Sequence, residues 1–250
     1  MRAGVVAVSV LLLAGCGGHA AGKASGPPPP SLVSVCGSVP AGLHADVAWL
    51  ETSDGVRLYT AAAGSGDRVV VLAHESGGQG LCGWLPTMKL LAAHGFRAFA
   101  FDFRTYYPSQ IPPERKQLAW RNDLQAAIDE AGGKHTALMG ASFGGAAVVA
   151  YAPDLRGVDA VVSVSGEQQL PNPHIDAIGN VGRLRVPLLV LASRLDGYLD
   201  TEEARQLVRR AGSSDKSVVL YPGTLHGWDI LDARPAARRV LLAWLTRRLR

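Results

Sequence analysis

Cysteine is scarce in this chain. There are three in 250 residues and none is paired at metal-ligand spacing, which excludes a cysteine-rich zinc module. The pattern G-x-x-x-x-G-K-[ST] is absent, and with it a P-loop nucleotide site. So is H-E-x-x-H: His74-Glu75 comes nearest but has no second histidine four residues on, so a zinc hydrolase of that type is out. The apolar run near the N-terminus, Val5 to Leu13, covers about nine residues, far short of the roughly 20 that span a bilayer. Neither sign of charge is in large excess. The formal net charge is +4, and the arginines are not massed in one run with interleaved aromatics, which argues against a nucleic-acid partner. There is no internal repeat, and no stretch between elements is long enough for a separate cap domain.

What is present is an ordinary globular composition, 48% hydrophobic, at a length sufficient for one domain with a sizeable core. The first residues stand apart. Arg2 supplies a small positive segment, Val5 to Leu13 suits the hydrophobic part of a signal peptide, and Leu13-Ala14-Gly15-Cys16 follows. That tetrapeptide resembles the lipobox of bacterial lipoproteins, in which the cysteine thiol is lipidated and the chain is cleaved before it. The resemblance implies export, with a membrane anchor at Cys16 in the cell envelope; the plainer alternative is a secretory signal whose cysteine is incidental. Gly17 to Ser34 is rich in Gly, Ala, Ser and Pro, with Pro27 to Pro30 in a row, as in an extended spacer that cannot bury enough apolar surface to fold. The expected organisation is a signal peptide over 1–15, an anchored tether over 16–44 and one catalytic domain over 45–250. With Cys16 set aside, Cys36 and Cys82 form either a disulfide, as suits an exported chain, or two unpaired buried thiols.

From residue 45 onward, short apolar runs alternate with amphipathic segments. Strands are predicted at Ala45–Glu51, Val56–Ala63, Arg68–Ala73, Phe96–Phe103, His135–Gly140, Val158–Ser165, Val186–Ala192 and Ser217–Tyr221. Helices are predicted at Trp84–His94, Gln117–Ala131, Phe143–Tyr151, Thr201–Arg210 and Ala236–Leu249, while Gly166 to Arg185 reads as loop. Runs such as Arg68–Ala73 (RVVVLA) are apolar at every position, as expected for strands covered on both faces. The fold class is therefore α/β: a doubly wound, mostly parallel sheet of about eight strands with helices on both faces.

Gly140-Ala141-Ser142-Phe143-Gly144 lies where a predicted strand meets a predicted helix. A serine on so tight a turn has strained backbone and needs glycine two residues to either side; the turn lifts its hydroxyl above the sheet, beside a helix N-terminus. The alternative is a serine that merely caps the helix. Of seven histidines only His174 and His226 follow Ser142, and His174 precedes the strand that should deliver an acid, which leaves His226, just after the last strand. Asp196, beyond the carboxyl end of the strand VPLLVLAS, is the candidate acid. Glu167 competes for that role, and Asp200 better suits the N-cap of the following helix.

On these residues the chain resembles the α/β-hydrolases from about residue 45 to its end. GASFGG resembles their nucleophile elbow, SRLDGY the acid loop, TLHGW the histidine loop, and Ala73-His74-Glu75-Ser76-Gly77-Gly78 their His-Gly-x-Gly segment. The resemblance implies a serine hydrolase, esterase- or lipase-like, with Ser142, His226 and Asp196 as a triad and the N–H groups of Ser76 and Phe143 as the oxyanion hole. It implies a small acyl substrate and no metal or cofactor. Glu75 stands where the family has glycine, so either the turn tolerates a side chain or Glu75 points into the site. Tyr106 and Tyr107, after Asp102-Phe103-Arg104, either line the pocket or simply pack. The alternatives from other classes are a non-catalytic surface lipoprotein that binds a ligand, and an acyltransferase or peptidase using the same triad. The arginines of the last helix are expected to form a solvated face.

Overall fold

The computed structural model describes residues 27–170 and 175–250. The signal segment, Cys16, Pro171, Pro173 and His174 lie outside the described residues. Among the described residues no helix is long and apolar enough to cross a membrane.

Eight strands make one sheet: β1 (Ala45–Glu51), β2 (Arg57–Ala63), β3 (Arg68–Ala73), β4 (Arg97–Phe101), β5 (His135–Ala141), β6 (Ala160–Val164), β9 (Leu188–Ser193) and β10 (Lys216–Tyr221), numbered with a two-stranded ribbon, β7 (Gln169–Leu170) and β8 (Ile175–Asp176), between β6 and β9. Their order across the sheet is β1-β2-β4-β3-β5-β6-β9-β10. β1 and β2 pair antiparallel, as do β2 and β4, and every pairing from β4 to β10 is parallel. Burial follows from that order. The edge strand β1 alternates between exposed and partly buried residues, whereas β6 and β9 are buried at every position.

The helices are α1 (Leu32–Cys36), α2 (Leu85–Ala93), α3 (Trp120–Ala131), α4 (Phe143–Tyr151), α5 (Ala177–Asn180), α6 (Thr201–Arg210), α7 (Asp229–Ala233) and α8 (Pro235–Arg248). They cover the sheet in two layers. Val69 and Val71 of β3 face a core shared with α3, α4 and α6, while Val70 and Leu72 face a second core shared with α2, α7 and α8. The period-two direction of a strand's side chains produces this division. On α8, Leu241, Trp244 and Leu245 are buried and Arg239 and Arg247 are exposed, as is Arg250 beyond its end.

Three segments differ from expectation. The spacer expected to run to Ser34 ends instead in α1, because Ser31 caps it by accepting from Ser34 N–H at 3.2 Å, Leu32 buries itself in the second core, and Cys36 is joined to Cys82. Pro30 and Pro27 also accept hydrogen bonds from Tyr59 Oη (2.8 Å) and Trp49 Nε1 (2.9 Å). The stretch after Gly166, expected as loop, holds β7, β8 and α5; Asp176 caps α5 by accepting from Gly179 N–H at 2.8 Å. The helix expected from Gln117 starts at Trp120, after a short 3₁₀ turn over Glu114–Lys116.

Candidate active site

Ser142 sits on the turn from β5 into α4 with φ 47° and ψ −119°, a region an L-residue rarely adopts. Its side chain makes no capping hydrogen bond to α4, which removes the helix-capping alternative. The glycines around it are required by space. A methyl group on Gly140 would stand 2.2 Å from the Gly144 carbonyl oxygen, and one on Gly144 would stand 2.3 Å from that of Ala73. The same close approach lays the end of β3 and the loop after it directly on the first turn of α4. That loop carries Ser76, and α4 opens with Phe143, whose N–H has no carbonyl one turn back within the helix to bond.

Asp196 and His226 meet across two loops, at the carboxyl ends of β9 and β10. The imidazole Nδ1 lies 2.9 Å from Asp196 Oδ1 and 3.0 Å from Oδ2, and the backbone N–H of Tyr198 donates to Oδ1 at 3.0 Å. With Asp196 ionised, Nδ1 carries the proton and Nε2 is left as the acceptor. Burial alone raises the Asp196 carboxyl, but the His226 hydrogen bond and the Tyr198 N–H outweigh it and hold the group below its ordinary value. Burial likewise lowers the imidazole, and here too it is outweighed: by the Asp196 hydrogen bond first, then by the charges of Asp196, Glu75 and Glu167, so that His226 lies above 6.5. The Tyr198 ring packs on the imidazole with centroids 4.7 Å apart. A methyl group on Gly227 would stand 3.7 Å from the Ala141 methyl, so the residues next to His226 and Ser142 are neighbours.

Neither competing acid bonds the imidazole. Asp200 caps α6, accepting from Glu203 N–H at 2.8 Å while Glu203 Oε2 accepts from Asp200 N–H at 3.1 Å. Glu167 makes no hydrogen bond to His226 and influences it only through its charge; burial raises its own carboxyl.

Glu75 points toward the histidine loop. Its Oε2 is buried without a hydrogen-bond partner, at a point 1.9 Å from where a methyl group on Gly227 would stand. Burial raises its carboxyl, His226 and the Trp228 backbone lower it, and Asp229 adds to the rise. His74 beside it is fully buried and fixes the loop. With Nδ1 2.6 Å from the Glu75 carbonyl oxygen and Nε2 accepting from Phe103 N–H at 3.0 Å, it is a neutral ring protonated on Nδ1, and burial pulls its pKa to about 4. Tyr106 packs on His74 with ring centroids 4.4 Å apart and reaches the Ser76 carbonyl from its hydroxyl at 3.4 Å. Tyr107 is 79% exposed.

Three further side chains are engaged in contacts of their own. Trp84 is fully buried against Trp228, Gln168 is tied to α6 through the Glu203 carbonyl and Gln206, and Gln169 bonds Asp176. Two residues escaped sequence reasoning. Ser165, buried with φ 51°, turns its hydroxyl toward Asp196 without reaching a hydrogen bond of good geometry. Asp102, at the end of β4, accepts from Leu81 N–H at 2.6 Å through Oδ1, leaves Oδ2 unpaired, and is pushed by burial to about 8. A non-glycine residue just after a strand carries no signal for the first, and a lone carboxylate carries none for the second.

A family model described as the α/β hydrolase fold matches residues 69–187, and one described as serine aminopeptidase, S33, matches residues 174–228. No curated protein matches the chain. Among solved structures, it is similar to an esterase from Pyrococcus furiosus, at 15% identity and a TM-score of 0.72 over 91% of this chain and 96% of that one. It is similar to an esterase from Exiguobacterium antarcticum, at 13% identity and 0.68 over 79% and 98%. The esterase domain of a Rhodothermus marinus protein matches at 22% identity and 0.66 over 83% and 100%. Strand order, the strained serine turn and these likenesses agree: the chain has the α/β-hydrolase fold.

Proposed function

We propose that this protein is a serine hydrolase that cleaves carboxylic esters through an acyl-enzyme on Ser142. Ser142 Oγ attacks the ester carbonyl carbon and its proton passes to His226 Nε2. The tetrahedral oxyanion is held by the N–H groups of Phe143 and Ser76. Collapse breaks the bond to the alkoxy oxygen, which takes the proton from Nε2. Water then repeats the sequence on the acyl-enzyme and releases the acid. Asp196 fixes the imidazole tautomer and stabilises the imidazolium. No step calls on a metal or cofactor. Glu75 acts as a positioning group between the oxyanion loop and the histidine loop.

The observation that carries this reading is the Asp196–His226 pair, 2.9 Å apart, beside a serine held at φ 47° with its side chain free of any capping bond. Ester chemistry is further supported by esterases among the structural neighbours. The serine aminopeptidase likeness over residues 174–228 favours amide cleavage as the second reading. Parallel assays on 4-nitrophenyl acetate and an aminoacyl 4-nitroanilide separate the two. Ser142→Ala is expected to lower kcat/KM by about 10⁴ or more. Retention of most of the activity, or failure of a fluorophosphonate to label Ser142 in the folded protein, overturns the assignment and favours a ligand-binding protein.

We also place the enzyme in the cell envelope, exported and anchored to the membrane through lipid on Cys16. The LAGC sequence after an apolar segment supports this. In a bacterial host Cys16→Ser should abolish incorporation of a labelled fatty acid and move the protein out of the membrane fraction; labelling that persists sinks the anchor.

A further inference from the structure

A cleft of about 590 Å³ opens beside the loop that follows β3. Three segments distant in sequence wall it: Val35 in the N-terminal helix α1 and Ser38 just beyond it, Gly78 and Gln79 on the loop after β3, and Tyr106 and Tyr107 after β4. Both residues of the Cys36–Cys82 disulfide line it as well, so the bond holds the α1 segment against the loop after β3. Tyr106 links the cleft to the reacting groups, since its hydroxyl reaches the carbonyl of Ser76, whose N–H is a proposed oxyanion donor. Among the described residues, none that lines the cleft carries a charge. What it offers is an exposed phenol ring on Tyr107, an amide on Gln79, a hydroxyl on Ser38 and glycine backbone. A carboxylate buried there would find no cation, and leaving it unpaired costs several-fold in binding. The volume suits a group of drug-fragment size, and an aromatic wall with a few polar groups is the usual make-up of a site for one.

We infer that this cleft receives a bulky, uncharged group of the ester substrate, acyl or alkoxy, and that the disulfide-held N-terminal segment is one of its walls. The inference rests on the ester-hydrolase reading above and deepens it. On this account the segment between the export signal and the catalytic domain is part of the binding site, and specificity depends on an oxidised Cys36–Cys82 pair.

The test uses the full-length protein in detergent and three esters: 4-nitrophenyl acetate, 4-nitrophenyl 2-naphthoate (bulk on the acyl side) and 2-naphthyl acetate (bulk on the alkoxy side). The readout is the ratio of kcat/KM for each bulky ester to that for 4-nitrophenyl acetate, measured beside fluorophosphonate labelling of the same preparation. Ser38→Trp, which fills the cleft from an exposed position, should lower one of the two ratios by about tenfold. Tyr107→Ala should lower the same ratio by about fivefold, and so should reduction of the wild-type disulfide. A carboxylate on the naphthyl ring should cost a further factor of about ten. Which ester responds tells which side of the bond the cleft receives. Ratios that stay within about twofold of wild type for Tyr107→Ala and for the reduced protein, with Ser142 still labelled, overturn the cleft alone. Wild-type protein that is folded but not labelled overturns the hydrolase reading, and this inference with it.

Discussion

At the scale of the residue, Glu75 is the departure from pattern with the clearest consequence. His226 is faced by Asp196 from the acid loop, Glu75 from the loop after β3, Glu167 from the end of β6 and the ring of Tyr198. A negative charge beside an imidazole favours its protonated form, so each carboxylate raises the pKa of the base. The base must be neutral to accept the Ser142 proton, and activity is therefore lost as pH falls through that pKa. Glu75→Gln keeps the shape and removes the charge. The acidic limb of the kcat/KM profile should then move to lower pH, because one of the charges that raises the imidazole is gone. An acidic limb that does not move shows that Glu75 is a spacer without electrostatic effect. Ser142 and His226 stand out as candidates in the sequence because chain order, strand ends and one glycine-bracketed motif leave few others, whereas Asp196 still competes there with Glu167. The direction of Glu75 cannot be read there, since the same letter fits a solvent-facing turn as well as a carboxylate aimed at Gly227.

At the scale of the element, the loops after β3 and β4 are locked together before any substrate arrives. His74 bonds both, and Ser109 Oγ donates to the Asp102 carbonyl at 2.7 Å. Arg104, fully buried, bridges Asp54 on one side (2.8 Å) and Asp123 on the other (2.7 Å), which ties the β4 loop to α3 and to the β1–β2 turn. Asp102 is the weak member, because its Oδ2 has no partner. In the unfolded chain this carboxyl ionises near 3.8, and in the folded protein near 8. Between those values the unfolded state gains by releasing a proton that the folded state keeps. The group's contribution to stability therefore declines as pH rises through the window. Asp102→Asn cannot ionise. Urea midpoints measured at about pH 5 and about pH 8 should differ less in Asp102→Asn than in wild type. Equal differences would mean that Asp102 is not the group responsible.

At the scale of the whole molecule, the N-terminal segment is held to the domain by the disulfide, by Leu32 in the second core and by the hydrogen bonds to Pro27 and Pro30. The cross-link spans 46 residues of sequence. Chain-entropy reasoning gives such a loop about 4 kcal/mol of stabilisation through the unfolded state. Cys36→Ser with Cys82→Ser should accordingly lower the melting temperature by several degrees or more, and reductant should do the same to wild type. If the melting temperature is unaffected by either, the bond is not formed in solution.

Local pattern along the chain is enough to specify the alternation of apolar strands with helices, the parallel sheet covered on both faces, and the glycine-bracketed serine at a strand–helix junction. Each depends on neighbours within about ten residues: a period of two, a period of 3.6, or a turn too tight for a side chain. Long-range packing sets the rest: Asp196 rather than Glu167 or Asp200 reaches His226, Cys36 and Cys82 pair, and Glu75 faces Gly227. It also made the end of an apparently featureless spacer one wall of a cleft. These outcomes are set by distances between segments tens of residues apart, and those distances exist only once the sheet has brought the carboxyl ends of β3, β4, β5, β9 and β10 together.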